Sequence, residues 1–288
     1  MNEFCAQAAN AVVQKAGAMV QEKGLDRPTP LQSTGISEKA VAERFSKAAP
    51  RYDKLAAIQH TIAQHGLHNL PAQLVGNALD IGCGTGVHTQ SLNARGLDAV
   101  GVDIAEGMLA LAGTNYPHIT FKQGSAQALP IASNSIDVVY SSMALQWANC
   151  LNSVAEEVHR VLNHDAIAEL AIMVSGSFEE LTHARKLAQL PTAMTPLPTA
   201  DAWNRAFRGA GLAVKRVITR DYVDSHSDIM SLLRSVKGVG AGETGKQQKV
   251  LSRQDIKKLS MAYHNIHGEV GRLPLTYRVC HFRLEKNA

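Results

Sequence analysis

The stretch ALDIGCGTGVHT, residues 78–89, decides the fold of this chain. Its first four residues, ALDI, are mostly apolar and are typical of the end of a buried strand. Gly82, Gly84 and Gly86 follow at once, and glycines at this spacing predict a tight turn whose backbone comes very close to another group. The stretch therefore predicts a strand, a glycine turn and a helix, with a binding site at the turn.

Strands and helices alternate downstream of the glycine turn. Because strands separated by helices of this length form βαβ units, the order predicts a parallel sheet, and right-handed crossovers make that sheet doubly wound. The predicted strands after the turn are AVGVD, ITFKQG, IDVVYSSM and AELAIMVS, and the helices lie near 88–95, 105–112 and 151–162.

The chain on either side of this core is predicted to be largely helical. Apolar residues recur at helical spacing from Glu38 to about Leu70, which predicts one or two helices before the first strand. After Val174 the sequence predicts helices over SFEELTHARKLA and TADAWNRAFRGAG, with Gly211 as a left-handed C-cap. A strand at VKRVITRDYV, an inserted helical segment over 227–268 and a last strand at LTYRVCHFRL complete the prediction.

Composition favours an ordinary globular protein of the cytoplasm. The chain has 288 residues, is 45% hydrophobic and carries a net charge of +4. No apolar run approaches the ~18 residues of a membrane span, and the N-terminal stretch lacks the unbroken apolar core of a signal peptide. The four cysteines show no CxxC spacing, so we expect neither a disulfide framework nor a metal site. The mild positive charge suits an acidic protein partner, although solvated basic faces are more common, and we expect a monomer with no nucleic-acid or membrane partner.

Asp80, inside the strand before the turn, decides between two classes of ligand. The dinucleotide fingerprint is GxGxxG and holds a pyrophosphate, whereas this chain has GxGxG preceded by an acid. A carboxylate repels a pyrophosphate but attracts an ammonium group. S-adenosylmethionine carries an ammonium and no phosphate, so the pattern favours S-adenosylmethionine over NAD.

Asp103 supports the same cofactor. It ends the next predicted strand, AVGVD, roughly 20 residues after the glycine turn, where an acid accepts two hydrogen bonds from a ribose. Ligands of doubly wound sheets lie beyond the carboxyl ends of the strands, which is where both acids are predicted.

The segments LDIGCGTG, VGVDIAEGML, GSAQALPI, IDVVYSSMALQW and EEVHRVL resemble, in order and spacing, the successive motifs of class I S-adenosylmethionine-dependent methyltransferases. The resemblance covers about Ala78–Val174 and implies a Rossmann-like methyltransferase fold, an α/β doubly wound and mostly parallel seven-stranded sheet. One residue departs from the family: Ser125 stands where an acid usually accepts from the adenine amino group. The resemblance implies that the cofactor is bound by Asp80, Gly82, Gly84, Gly86, Asp103, Ile104, Met108, Ser125 and Ala126.

A narrower resemblance extends over about Glu38–Leu284. The segments VAERFSKAAPRYDKLAAIQ, MALQWANCLNSVAEEVHRVL, MSLLRSVKGVGAGE and GRLPLTYRVCHF are similar to the malonyl-acyl-carrier-protein O-methyltransferase family of biotin synthesis. This resemblance implies methyl transfer to the free carboxylate of a malonyl thioester on an acyl-carrier protein. A carboxylate is ionised at neutral pH and needs no general base. We therefore expect Tyr52, Gln146 and Trp147 to position the substrate.

We divide the chain accordingly. The predicted parts are an extension and linker over 1–37 and a methyltransferase domain over 38–288, with a helical N-terminal cap at about 38–70, a cofactor core at about 74–174, substrate elements and an inserted helical lid at about 175–268, and a last strand at about 275–284.

Basic residues outside the core are candidates for the malonyl carboxylate or the acidic carrier protein. Arg234 and Lys237 lie beside an apolar helical stripe, followed by glycines able to hinge a lid. Arg185 and Arg272 are further candidates, and solvated surface charge is the alternative for all four.

Two other functions stay open on the sequence. One is a methyltransferase of small free carboxylic acids, similar to trans-aconitate methyltransferase, which shares the Leu-Gln-Trp stretch. The other is a non-catalytic S-adenosylmethionine-binding module, favoured by Ser125 in place of the usual acid.

Overall fold

The computed structural model describes residues 34, 36–191, 196–238, 251–267 and 272–287. Nearly all of the predicted extension over 1–37 lies outside these residues. The same is true of Gly240 and Gly242 in the predicted lid hinge.

The described residues form seven strands, nine α-helices and a 3₁₀ turn at Leu145–Trp147, and the alternation of strands and helices agrees with the sequence prediction. The strands are β1 (Asn77–Ile81), β2 (Asp98–Asp103), β3 (Thr120–Gln123), β4 (Ile136–Ser142), β5 (Leu162–Met173), β6 (Leu212–His226) and β7 (Leu273–Lys286). The helices are α1 (Glu38–Leu55), α2 (Ala57–Asn69), α3 (Val87–Asn93), α4 (Glu106–Asn115), α5 (Leu151–Val161), α6 (Glu179–Leu187), α7 (Ala200–Gly209), α8 (Ile229–Gly238) and α9 (Arg253–His267).

All seven strands belong to one sheet in the order β3-β2-β1-β4-β5-β7-β6. Strands β1 to β5 pair in parallel, while β7 runs antiparallel to both β5 and β6. The predicted mostly parallel, doubly wound sheet is therefore confirmed. The strand order reverses between β1 and β4, which is where a ligand crevice forms in such folds.

Helices cover both faces of the sheet. On one face, apolar residues of β1, β4 and β5 pack against α5 and α7, where Trp203 and Phe207 are fully buried. On the other face, Leu67 of α2 and Leu92 of α3 pack against Val138 and Tyr140 of β4. A third apolar cluster joins α6, α8 and α9 to β7, with further residues from α2 and β5.

The start of β5 differs from the sequence prediction, whereas the end of α7 agrees with it. Strand β5 begins at Leu162, directly after α5, rather than near Ala168. Asp165, in its first residues, has φ +59°, a left-handed conformation that aspartate tolerates better than most residues. Gly211 follows α7 with φ +88°, which confirms the predicted C-cap.

None of the helices that the structure describes combines the length and apolar character needed to cross a membrane. Within the same residues, no group of three or more His, Cys, Asp or Glu side chains is arranged to hold a metal ion.

Asp80 lies in β1 and is buried between the sheet and α3. Its side chain accepts a hydrogen bond of 2.7 Å from the Thr89 hydroxyl, and the residue is only 2% exposed. Burial raises the pKa of Asp80 from 3.8 to about 7, the nearby Asp103 charge adds to this, and the Thr89 hydrogen bond opposes it. Between about pH 4 and pH 7 the folded chain therefore keeps a proton on Asp80 that the unfolded chain has lost.

This difference predicts a pH-dependent contribution to stability. Because the folded state binds the proton more tightly, the contribution is fully present below about pH 4 and is lost as the pH rises towards 7. In Asp80→Asn the amide cannot titrate and can still accept from Thr89. We expect the free energy of unfolding of the variant, relative to wild type, to rise between pH 5 and pH 7 by up to about 1.4 kcal/mol per pH unit.

Urea unfolding at intervals of half a pH unit measures this difference. The matched control is Asp98→Asn, an exposed aspartate of β2, whose curve should run parallel to that of wild type. Parallel curves for Asp80→Asn as well would show that Asp80 titrates normally.

Candidate active site

The glycine turn after β1 is held against the end of β2. The amides of Gly82 and Cys83 both donate to the Val102 carbonyl, at 2.7 and 3.1 Å. The Gly84 amide donates to a carboxylate oxygen of Asp103 at 2.9 Å. These bonds fix the turn across two neighbouring strands at the reversal point of the sheet.

Gly82 and Gly84 are each required in the turn, for different structural reasons. Gly82 has φ +74°, and a Cβ there would lie 2.1 Å from the Cβ of Ala144, which follows β4. Gly84 has φ +54°, and a Cβ there would meet no protein atom within 4 Å. The chain therefore leaves open space above Gly84, where its backbone lines a cavity.

Asp103 is the carboxylate that organises this end of the sheet. Its second oxygen accepts from the Ala105 amide at 2.8 Å, so each oxygen already accepts one backbone N–H. Burial raises the pKa of Asp103, and the backbone N–H groups of Ala105 and Gly84 oppose the shift. Each oxygen keeps further acceptor capacity, which is what two adjacent hydroxyl groups require.

The cavity lies over the carboxyl ends of β1 to β4 and beneath α1. It takes in about 750 Å³ of space, including open solvent at its mouth. Most of its wall is apolar, from both the core and α1. The lining side chains and backbone belong to Glu38, Val41, Phe45, Tyr52, Ile81, Gly82, Gly84, Val102, Asp103, Ile104, Met108, Gly124, Ser125, Ala126, Ser142, Met143, Ala144, Leu145, Trp147 and Ala148.

Helix α1 is fastened to the core at three points along its length. The Glu38 carboxylate accepts from the Ser125 hydroxyl at 2.5 Å. The Gly107 amide of α4 donates to Ser46 at 3.1 Å. The Thr85 hydroxyl of the glycine turn donates to Asp53 at 2.8 Å. The helix is thus built as a cover over the cavity.

Aromatic side chains close the end of the cavity nearest β4. Phe45 packs between Tyr52 and Trp147, with ring centroids 6.4 and 6.1 Å away. Burial, reinforced by the charges of Asp103 and Asp53, raises the pKa of Tyr52, so its phenol stays protonated and can donate a hydrogen bond. The Arg44 guanidinium lies 5.9 Å from the centre of the Trp147 ring. An apolar chamber with a phenol donor and a cation at its edge can hold an anionic group.

Nine of the predicted site residues meet at this cavity. They are Gly82, Gly84, Asp103, Ile104, Met108, Ser125, Ala126, Tyr52 and Trp147.

Three predicted site residues do not line the cavity. The Asp80 side chain is turned to Thr89 instead. Gly86 is the left-handed N-cap of α3, and a Cβ there would lie 2.8 Å from Phe121. Gln146 is buried and donates to the Met143 carbonyl at 2.7 Å, which supports the left-handed backbone of Met143 (φ +55°) in the cavity wall.

None of the four cations predicted from the sequence lines the cavity either. Arg185 is 6% exposed and donates to the Pro191 carbonyl at 2.8 Å, so its side chain stabilises the packing of this segment. Arg234 and Lys237 are exposed on α8, and Arg272 is exposed just before β7.

The structure also adds residues that the sequence reasoning missed. Glu38, Val41 and Phe45 reach the cavity from α1, and Arg44 stands beside Trp147. The spacing of Val41, Phe45 and Tyr52 along one helix face is a signal that the sequence does carry. Nothing in the sequence points to Glu38, because its partners are about 90 residues away.

Comparison of the sequence with known proteins identifies relatives along most of the chain. Residues 79–169 match the model of a methyltransferase domain. The chain is 31% identical over 261 residues to a malonyl-[acyl-carrier protein] O-methyltransferase of Dechloromonas aromatica, covering 89% of this chain and 98% of that protein. The protein of the same name from Pectobacterium atrosepticum is 29% identical over 248 residues, covering 84% of this chain and 94% of that one.

A longer relative matches over part of its length. The biotin biosynthesis bifunctional protein BioHC of Cellvibrio japonicus is 31% identical over 258 residues, which is 88% of this chain and 51% of that protein. The chain therefore spans about half of the bifunctional relative.

Solved structures share the fold at low identity. The YcgJ protein of Bacillus subtilis aligns with a TM-score of 0.58 at 16% identity, over 80% of this chain and 99% of that one. An S-adenosylmethionine-dependent methyltransferase of Thermotoga maritima aligns with a TM-score of 0.51 at 14% identity, over 86% of this chain and all of that one. The predicted Rossmann-like methyltransferase fold is thus confirmed.

With a glycine turn and Asp103 at the reversal point of the sheet, and with this likeness along nearly its whole length, the chain is an S-adenosylmethionine-dependent methyltransferase that belongs to the malonyl-[acyl-carrier protein] O-methyltransferase family.

Proposed function

We propose that the enzyme transfers the methyl group of S-adenosylmethionine to the free carboxylate of a malonyl group carried on an acyl-carrier protein, as a step of biotin synthesis. The observation that carries the proposal is the match over 98% of the Dechloromonas relative, which includes the cap and the elements after β5 as well as the cofactor core. A likeness confined to the core would favour no particular acceptor.

The cofactor would lie along the carboxyl ends of the strands. The ribose hydroxyls would bind the remaining lone pairs of Asp103, and the adenine would pack between Ile104, Met108 and Ala126. The methionine part would cross the glycine turn towards Asp80, with the methyl group facing Tyr52 and Trp147. This pose brings the sulfonium to the aromatic end of the cavity.

Gly84 and Gly82 provide a direct test of the pose. Gly84→Ala adds a methyl group beside the cavity at a left-handed position, so we expect a stability loss of about 1 kcal/mol but a loss of S-adenosylhomocysteine affinity of at least ten-fold. Gly82→Ala drives the same methyl group into Ala144 and should chiefly lower the melting temperature.

Calorimetric titration and thermal unfolding of both variants measure the two effects. Unchanged affinity in a folded Gly84→Ala protein would place the cofactor away from the turn.

Transfer to a carboxylate makes few chemical demands on the site. The acceptor is already an anion at neutral pH, so no side chain has to remove a proton. The site has to exclude water and align oxygen, methyl carbon and sulfur. In our proposal the protonated Tyr52 donates to one carboxylate oxygen and leaves the other free to attack, while Phe45 and Trp147 keep water out.

A carrier protein also needs a surface on which to dock, and α1 offers one. Arg44, Lys47, Arg51 and Lys54 recur at spacings of three, four and three residues, so they share one side of the helix. Lys47, Arg51 and Lys54 are exposed, and the Arg44 guanidinium lies over the Trp147 ring in the cavity wall. A basic stripe beside the cavity mouth complements an acidic helix. We propose that the cap over 38–70 docks the carrier, with Arg234 and Lys237 on the adjoining α8 extending the same surface.

Labelled methyl transfer tests the acceptor. We expect methyl ester formation on malonyl-acyl-carrier protein, with far less on free malonate and trans-aconitate. Labelling of a free acid alone would favour a small-acid methyltransferase. Cofactor binding without transfer to any of them would favour a binding module.

Charge reversal of the basic stripe tests the docking surface. In Lys47→Glu/Arg51→Glu we expect KM for malonyl-acyl-carrier protein to rise at least ten-fold, because like charges then face the carrier. KM for malonyl-pantetheine should stay within about two-fold, since that thioester lacks the protein. The matched control is Arg205→Glu/Arg208→Glu, two exposed arginines on α7 with the same charge change. If both double variants raised KM for malonyl-acyl-carrier protein equally, the effect would come from the overall charge of the enzyme and not from the basic stripe.

A further inference from the structure

The end of the cavity nearest β3 contains a carboxylate that does not come from the methyltransferase core. Oε1 of Glu38, the first residue of α1, accepts from the Ser125 hydroxyl at 2.5 Å and from the Gln127 side-chain amide. Gln127 is held in turn, because its side-chain oxygen accepts from the Cys150 amide at 2.6 Å. The Glu38 carboxylate is therefore fixed at the cavity wall by two side chains of the loop after β3, one of which is itself held by the loop after β4.

The second oxygen of this carboxylate, Oε2, is available to accept a hydrogen bond. Both hydrogen bonds to Glu38 end on Oε1, and Oε2 has no hydrogen-bond partner among the residues that the structure describes. Glu38 is half-buried and lines the cavity beside Ser125 and Ala126. A carboxylate oxygen that faces a ligand cavity can accept a hydrogen bond from a donor on the ligand.

The order of the strands indicates which group of the cofactor would lie near Glu38. Asp103 ends β2, the Ser125 loop follows β3 on one side of it, and Trp147 follows β4 on the other. With the ribose at Asp103 and the sulfonium towards Trp147, the base extends to the Ser125 loop between apolar walls. In this pose the edge of adenine that carries the 6-amino group would face Glu38.

Ser125 by itself is a poor receptor for that amino group. Its hydrogen is donated to Glu38, and its oxygen also accepts from the Gln127 backbone amide at 3.0 Å. The hydroxyl therefore serves to orient the Glu38 carboxylate.

We propose that Glu38 of the cap helix is the specificity-determining acid that recognises the adenine 6-amino group of S-adenosylmethionine, in the place left by Ser125 in the core. A carboxylate acceptor makes a charge-assisted hydrogen bond, roughly twice as strong as a neutral one. Because α1 also carries Phe45 and Tyr52, binding of the base fastens the cover of the acceptor chamber. The base thus adds one more hydrogen bond to the three attachments that already hold α1 on the core.

The proposal is tested by calorimetric titration with two ligands that differ only at the 6-position, S-adenosylhomocysteine and S-inosylhomocysteine. The inosine analogue presents an oxygen to Glu38 in place of the amino group. We expect wild type to prefer the adenosine form by at least roughly ten-fold. In Glu38→Gln, whose amide can turn either group towards the base, the preference should fall to about three-fold or less. In Glu38→Gln/Ser125→Asp the core regains an acid and the preference should return.

Glu43→Gln is the matched control, an exposed glutamate on the same helix, and should keep the wild-type preference. Hydrogen exchange adds a second measurement: S-adenosylhomocysteine should protect the amides of α1 in wild type, and markedly less in Glu38→Gln.

Two outcomes would overturn the proposal. Wild type could bind both ligands equally, or Glu38→Gln could lose affinity for both by the same factor, which would reduce Glu38 to a structural fastening of the cap. No acceptor takes part in these titrations, so they hold whether or not malonyl-acyl-carrier protein is the substrate.

Discussion

The hydrogen bonds between Asp103 and the glycine turn are the constraint on which the rest of the site depends. One carboxylate, at the end of β2, fixes the Gly84 amide after β1 and the Ala105 amide before α4. A loop of glycines has many accessible conformations, and these bonds select one of them. The same carboxylate thereby shapes the open space above Gly84 and lines it.

The cover of the site follows from a second set of contacts. Helix α1 bonds to the glycine turn through Asp53, to α4 through Ser46 and to the loop after β3 through Glu38. Three polar attachments along one helix hold it in register over the core, while its apolar side faces the cavity. Apolar packing of Ala49 against Ala105 and Met108 adds to these polar attachments.

Electrostatics suit a cationic ligand. Burial raises the pKa of both Asp80 and Asp103, and the charge of Asp103 raises that of Asp80 further. A sulfonium and an ammonium group brought alongside offset that repulsion, whereas a pyrophosphate would increase it. Tyr52 stays protonated and therefore cannot serve as a base, which agrees with the proposed acceptor, a group that is already ionised.

The sequence by itself determined the parts of this protein that local patterns encode. The alternation of apolar strands and helices predicted the sheet. The glycines and Asp103 predicted the end of the sheet at which the cavity lies, because a βαβ unit places these few neighbouring residues together whatever the rest of the chain does. The tertiary structure alone decided which side chains from distant elements meet there. It turned Asp80 to Thr89, buried Arg185 in a packing role and brought Glu38 to Ser125 across almost 90 residues. Such meetings depend on how whole helices pack on the sheet, and no periodicity within a short segment records that packing.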